Sequence, residues 1–135
     1  MKKEKPKKRI NSRKKGSRGE LELVNFLIDH GFDARRGQQF KGTPDSPDIV
    51  SAMLTEVGLH IECKRVEAGN PYTWFDQASK DAGKYVPVVM HRRSDRNWLA
   101  ILDLDAFLKF VHTSYVLDGN TFKLRIKENG TKTTD

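Results

Sequence analysis

The sequence has a single cysteine, Cys63, so it can form no internal disulfide, and no Cys/His spacing suited to zinc occurs in it. With neither staple available, the fold must be held by packing. No apolar run approaches the roughly 20 residues of a bilayer span. The basic N-terminus leads into no apolar stretch, so membrane insertion and export are not expected and a reducing cytoplasm is the default. There is no internal repeat, and 135 residues suffice for one domain but not for two of ordinary size.

Basic charge is plentiful and unevenly placed. Residues 1–18 hold ten Lys/Arg against the single Glu4, a local charge of +9, whereas the rest of the chain holds fifteen Lys/Arg against seventeen Asp/Glu, or −2. A mildly acidic body behind a basic arm suits a folded unit with a phosphate-seeking tether, and nucleic acid is the natural polyanion. The competing reading is a solvated arm, or a localisation signal in Lys7-Lys8-Arg9 and Arg13-Lys14-Lys15. The expected organisation is a flexible basic arm over 1–16, one domain over 17–127 and a polar tail over 128–135.

Within the domain, Ser17 followed by Glu20 has the form of a capping box, and Leu21, Val24, Leu27 and Ile28 recur at helical spacing until Gly31, predicting a helix over 17–30. A short strand is expected within 32–36, then a Gly/Pro-rich surface loop over 37–47. Asp48 to Met53 and Leu59 to Val66 are β-prone runs around residues 55–58 and predict an antiparallel hairpin. Asn70-Pro71 supplies an N-cap and a first-turn proline for a helix over 71–84. Strands are expected at 86–91 and 98–102, a helix at 103–111, and a terminal hairpin from 115–117 and 122–127. The fold class is α/β, a mixed central sheet with helices on its faces.

The hairpin register carries the chemistry. If the turn centres near Thr55-Glu56, residues whose numbers sum to about 111 face one another, bringing Asp48 opposite the Glu62 to Lys64 stretch. Opposed side chains have Cβ atoms ~4.5–5.5 Å apart, close enough for two carboxylates to share a hard cation at ~2.1 Å from each oxygen. Alternation sends Glu62 and Lys64 to one face, and Ile61 and Cys63 to the other. Glu20 shares a helix face with Leu23, Val24, Leu27 and Ile28, making it a candidate third acid. Magnesium held by Glu20, Asp48, Glu62 and the Cys63 carbonyl suits phosphodiester hydrolysis, with Lys64 orienting the attacking water.

Pro47-Asp48, thirteen residues, then Glu62-Cys63-Lys64, behind a helix bearing Glu20, resembles the PD-(D/E)XK nuclease superfamily. Its restriction-endonuclease-like core has the order αβββαβ. Arg13-Lys14-Lys15-Gly16-Ser17-Arg18-Gly19-Glu20, Arg35-Arg36-Gly37 and the run from Gly37 to Asp48 are similar to the small Holliday junction resolvases of archaea and their phage-encoded relatives. The resemblance spans about residues 12–111. It implies a homodimer that makes two magnesium-dependent nicks in branched DNA and leaves 5′-phosphates, with manganese as a substitute metal. It also implies a catalytic neighbour in Gln77, and a bacterial host with a phage or prophage origin.

Each feature has a plainer reading. Glu20 can be a capping-box glutamate, and Lys64, Arg65 and Gln77 ordinary surface groups. Arg13, Lys14, Lys15, Ser17, Arg18, Arg35, Arg36, Lys41 and Arg92 are candidate DNA contacts, although loops and arms are commonly charged. His91 and Arg93 end a strand where phosphate could pass, while His30, His60 and His112 read as structural or solvated. The sequence therefore points to a structure-selective DNA endonuclease. The alternatives are a restriction, nicking or repair nuclease with the same site, or a DNA-binding protein of the same fold without hydrolysis.

Overall fold

The computed structural model describes residues 12–37 and 47–117, and its first element begins earlier than the sequence pattern predicts. Helix α1 spans Ser12–Asp29. Arg13, Lys14 and Lys15 are good helix formers, and the cost of one interior glycine, ~1 kcal/mol, does not stop the helix at Gly16. Ser17 is thus an interior residue and not the predicted cap, and the helix takes in the last residues of the expected flexible arm. At its other end Gly31 adopts φ +87°. There the Gly31 N–H donates to Ile28 O at 3.0 Å and the Phe32 N–H to Leu27 O at 3.0 Å, the paired bonds of a Schellman stop.

Five strands form one mixed sheet in the order β1-β2-β3-β4-β5: β1 (Arg35–Arg36), β2 (Ile49–Val50), β3 (Leu59–Arg65), β4 (Val86–Arg92) and β5 (Leu99–Ile101). Only the β3–β4 pair is parallel, and its crossover is helix α3 (Pro71–Ala82). Asn70 caps α3 through a 3.0 Å bond from the Tyr72 N–H, with Pro71 at the first helical position, as predicted. The connection from β2 to β3 is not the tight turn expected from the sequence. It holds a short helix, α2 (Ala52–Glu56), because Ser51 caps it and Asp33 accepts from the Ala52 and Met53 N–H groups at 2.8 and 3.2 Å. Side chain-to-backbone bonds of this kind compete with strand pairing.

The sheet is covered on both faces. On one, Leu23, Val24 and Leu27 of α1 bury against Ile49, Ile61 and Val88. On the other, Ala78 and Ala82 of α3 lie over the strands with Val89, which is fully buried. Alternation makes Ile61, Cys63 and Arg65 the α1 face of β3 and His60, Glu62 and Lys64 its α3 face.

The chain divides into two units, Met1–Asp103 and Leu104–Asp135. The described part of the second is helix α4 (Leu104–Leu117). The strand expected at 115–117 is the end of this helix, which meets no glycine or proline before Gly119. The 122–127 strand, Lys41 and residues 1–11 lie outside the described residues. No helix among those described is long and apolar enough to cross a membrane.

Candidate active site

Asp48 reaches its place through two close approaches. Gly37 follows β1, and its N–H donates to the Asp48 carbonyl at 2.8 Å. A Cβ there would stand 1.9 Å from the Pro47 carbonyl oxygen, so only glycine lets this backbone lie against Pro47-Asp48. Ile49 pairs with Ile61, and one step along the antiparallel ladder sets Asp48 against Glu62. The pair sum is 110, one residue from the register expected from the sequence.

Asp48 Oδ2 accepts the Cys63 N–H at 3.0 Å, and the Asp48 carboxyl stands opposite that of Glu62 on the ladder. His60, itself buried, contacts Glu62 Oε1 through Nε2 at 2.8 Å. Burial, and then Asp48, push the Glu62 carboxyl well above the usual carboxylate range; Asp81 of α3 adds to this, and Lys64 opposes it. Two carboxyls so placed cannot both ionise at low cost without positive charge between or beside them. Lys64, half-buried and on the same face as Glu62, supplies part of that charge.

Cys63 lies at the centre of this acidity. Burial, with the charges of Asp48, Glu20, Glu22 and Glu62, raises its thiol to about 12, so it stays protonated and takes no part as a nucleophile. Its backbone is the useful part: the N–H orients Asp48, and the carbonyl is a hard oxygen donor.

Glu20 comes from the α1 face and is held elsewhere. Arg36 Nε donates to Glu20 Oε2 at 2.8 Å, and Arg36 Nη2 donates to Ser17 Oγ at 3.1 Å. The Ser17–Glu20 pairing expected as a capping box is thus a joint mooring for Arg36. Two of the three predicted acids meet, and the third is engaged by an arginine. Among the described residues, no group of three His, Cys, Asp or Glu side chains is gathered closely enough to ligate one ion.

Gln77 is exposed on α3, and its amide donates to Asp81 Oδ2 at 3.4 Å, which links it to the site through an acid that acts on Glu62. Arg35 is exposed on the edge strand β1, and Arg18 is exposed on α1. Arg13, Lys14 and Lys15 lie in the first turns of α1. Arg92 is committed within the protein, where Nη1 donates to Glu22 and Nε donates to the Arg96 carbonyl at 2.6 Å. Sequence reading missed His60, Asp81 and Glu22. His60 was legible in principle, since period-two alternation puts it on Glu62's face. Asp81 was similarly reachable as the residue four beyond Gln77.

A family model described as archaeal Holliday junction resolvase (Hjc) matches residues 11–80. Among solved structures, the Hjc of Archaeoglobus fulgidus, described as a Holliday junction resolvase from an archaeal hyperthermophile, is similar at 26% identity and a TM-score of 0.46, over 65% of this chain and 72% of that one. No curated protein matches.

Proposed function

This chain belongs to the archaeal Holliday junction resolvase family, and we propose that it is a magnesium-dependent endonuclease that hydrolyses phosphodiesters in branched DNA at Asp48, Glu62 and Lys64. The observation that carries the reading is the antiparallel register that sets Asp48 opposite Glu62, with Lys64 on the same strand face.

The donor set fits a hard divalent ion. Asp48, Glu62 and the Cys63 carbonyl are oxygen ligands of the kind magnesium takes, and manganese accepts the same set. Glu20 is the proposed fourth protein ligand, on exchange from Arg36. When bound, the ion neutralises charge on the phosphate undergoing attack and lowers the pKa of a water. The chain's own groups position the rest. His60 fixes the rotation of the Glu62 carboxyl, the Cys63 N–H fixes that of Asp48, and the Lys64 ammonium orients the water and stabilises its hydroxide form. Gln77 steadies Asp81 beside the site.

Recognition is proposed to rest on backbone and shape, with Arg18, Arg35, Arg36 and the basic N-terminal residues, Lys41 among the loop contacts, meeting phosphates. A homodimer is proposed as the acting species, because two opposed strands of a junction need two cuts. In support, Leu104, Phe107, Leu108 and Val111 are exposed at helical spacing along one side of α4, the apolar stripe that a partner would cover.

The deciding experiment compares four-way junction, duplex, single-stranded and flapped DNA with magnesium, calcium or chelator. Cleavage of the junction alone in magnesium is the expected result. Equal cutting of all four would replace junction selectivity with a general nuclease, and no cutting of any would leave a DNA-binding protein.

A further inference from the structure

Beside the acidic site, on the same side of the sheet, lies a cleft of about 440 Å³ that the hydrolytic chemistry does not use. Its floor is the α3 face of the last two strands. His91 pairs with Leu99 and Val89 with Ile101, so His91, Leu99 and Ile101 point the same way. Its wall is Trp74 of α3, whose ring meets that of His91 with centroids 4.6 Å apart and planes at 46°. Arg93 and Arg96 form the rim, on the turn between β4 and β5.

Three features make this a prepared surface. Trp74 is held by two neighbours and, being only half-buried, still lines the cleft. His91 is held by a 3.0 Å contact from Nε2 to the Val66 carbonyl, and at Gly69 a Cβ would come within 2.5 Å of the indole, so the ring rests directly on backbone. The rim is fixed as well, since Glu67 accepts the Ser94 N–H at 3.1 and 3.2 Å and the Ser94 hydroxyl at 2.6 Å. Finally, Arg65 and Arg92 are both paired with Glu22, whereas neither Arg93 nor Arg96 has an acidic partner among the described residues. The one acid among the described residues that line the cleft, Glu67, is itself paired with Arg65.

A flat aromatic wall, a floor of His91, Leu99 and Ile101, and two uncommitted guanidinium groups are complementary to one nucleotide, with its base on the ring and its phosphate at the rim. A base stacked between its neighbours in a continuous duplex has no free face to offer such a wall. The cleft volume also falls within the roughly 300–1,000 Å³ of small-ligand sites. Lys64 and His91 are register partners on adjacent parallel strands, so a DNA strand lying at Glu62 and Lys64 enters the cleft one strand further on. We propose that this cleft holds an unpaired nucleotide flanking the scissile phosphate, the base against Trp74 and the phosphate on Arg93 and Arg96. The inference rests on the nuclease reading above and deepens it: it names the feature of branched DNA, an unstacked nucleotide at the branch, that the protein selects.

The test uses the full chain in calcium, with a four-way junction carrying 2-aminopurine at the branch point and a continuous duplex carrying the same base. Wild type should change the 2-aminopurine emission of the junction and not that of the duplex. Trp74→Leu should abolish that change. The double variant Arg93→Gln/Arg96→Gln should bind the junction roughly ten- to a hundredfold more weakly, with a salt slope smaller by about two. Both arginines are exposed, so the double variant reports on the cleft even if the Trp74 variant fails to fold. Unchanged affinity, slope and emission in the arginine variant would overturn the proposal. Failure of the nuclease reading is seen separately, as wild type that does not cut the junction in magnesium. Wild type that cuts, with an arginine variant that binds as tightly, removes the cleft alone.

Discussion

Arg36 holds Glu20 across the gap between β1 and α1, Nε to Oε2 at 2.8 Å, and so occupies the acid that the proposed metal site would draw on. The arginine side chain is 46% exposed and the glutamate 19%. A pair that open to solvent is worth about 0–1 kcal/mol, so a divalent ion can take Glu20 at small cost. Arg36→Ala should therefore raise magnesium or manganese affinity, by roughly fivefold at most, while weakening junction binding. Titration calorimetry of the apo protein checks the first effect, and a metal affinity unaltered in Glu20→Gln as well would remove Glu20 from the ligand set.

Asp48→Asn and Glu62→Gln should each lower junction cleavage by three or more orders of magnitude while binding is retained or strengthened, because repulsion between carboxylate and phosphate is relieved. Single-turnover cleavage beside gel-shift binding measures both. Loss of the two together would mean that the acids hold the fold and not the metal.

Two glycines of α1 should respond to alanine with opposite signs. At Gly19 a Cβ would lie 2.4 Å from Arg65 Cβ, where β3 passes the helix, so Gly19→Ala must push α1 off the sheet. Overpacking of this kind costs about 1–3 kcal/mol. A Cβ at Gly16 meets nothing within 4 Å, and Gly16→Ala should stabilise the helix by about 0.5–1 kcal/mol. Thermal unfolding distinguishes the two, and equal shifts would contradict the close α1–β3 approach.

Bonds from Ser94, and then the Arg65 guanidinium, hold the Glu67 carboxyl at about 2, below its ordinary value of 4.5. A carboxyl whose folded value is depressed binds protons more readily when unfolded. Its contribution is therefore complete above pH 4.5 and is lost as pH falls towards 2. Glu67→Gln should be less stable than wild type at pH 7, and the gap should narrow steadily as pH falls from 4.5 to 2. Urea midpoints across that range test it; a gap that persists in acid would place the stabilisation elsewhere.

The elements were legible where one local rule governed them. Asn70-Pro71 began α3, Gly31 closed α1, and two β-prone runs predicted the register that sets Asp48 against Glu62 to within one residue. Local rules misled where a distant partner intervened. Asp33, eighteen residues before Ser51, helps to turn the expected hairpin loop into α2. The Ser17–Glu20 capping box was lost to Arg36, sixteen residues beyond Glu20.

What the residue order determined by itself is the pairing of acids and amine along neighbouring strands, since alternation and antiparallel register are properties of the backbone alone. What only the folded chain decided is the state of each charge: which arginine is spent on an acid, as Arg92 is on Glu22, and which, like Arg93 and Arg96, is left for a ligand. Charge pairing depends on distances between residues far apart in sequence, as Glu22 and Arg92, seventy positions apart, illustrate, and no periodicity encodes those distances.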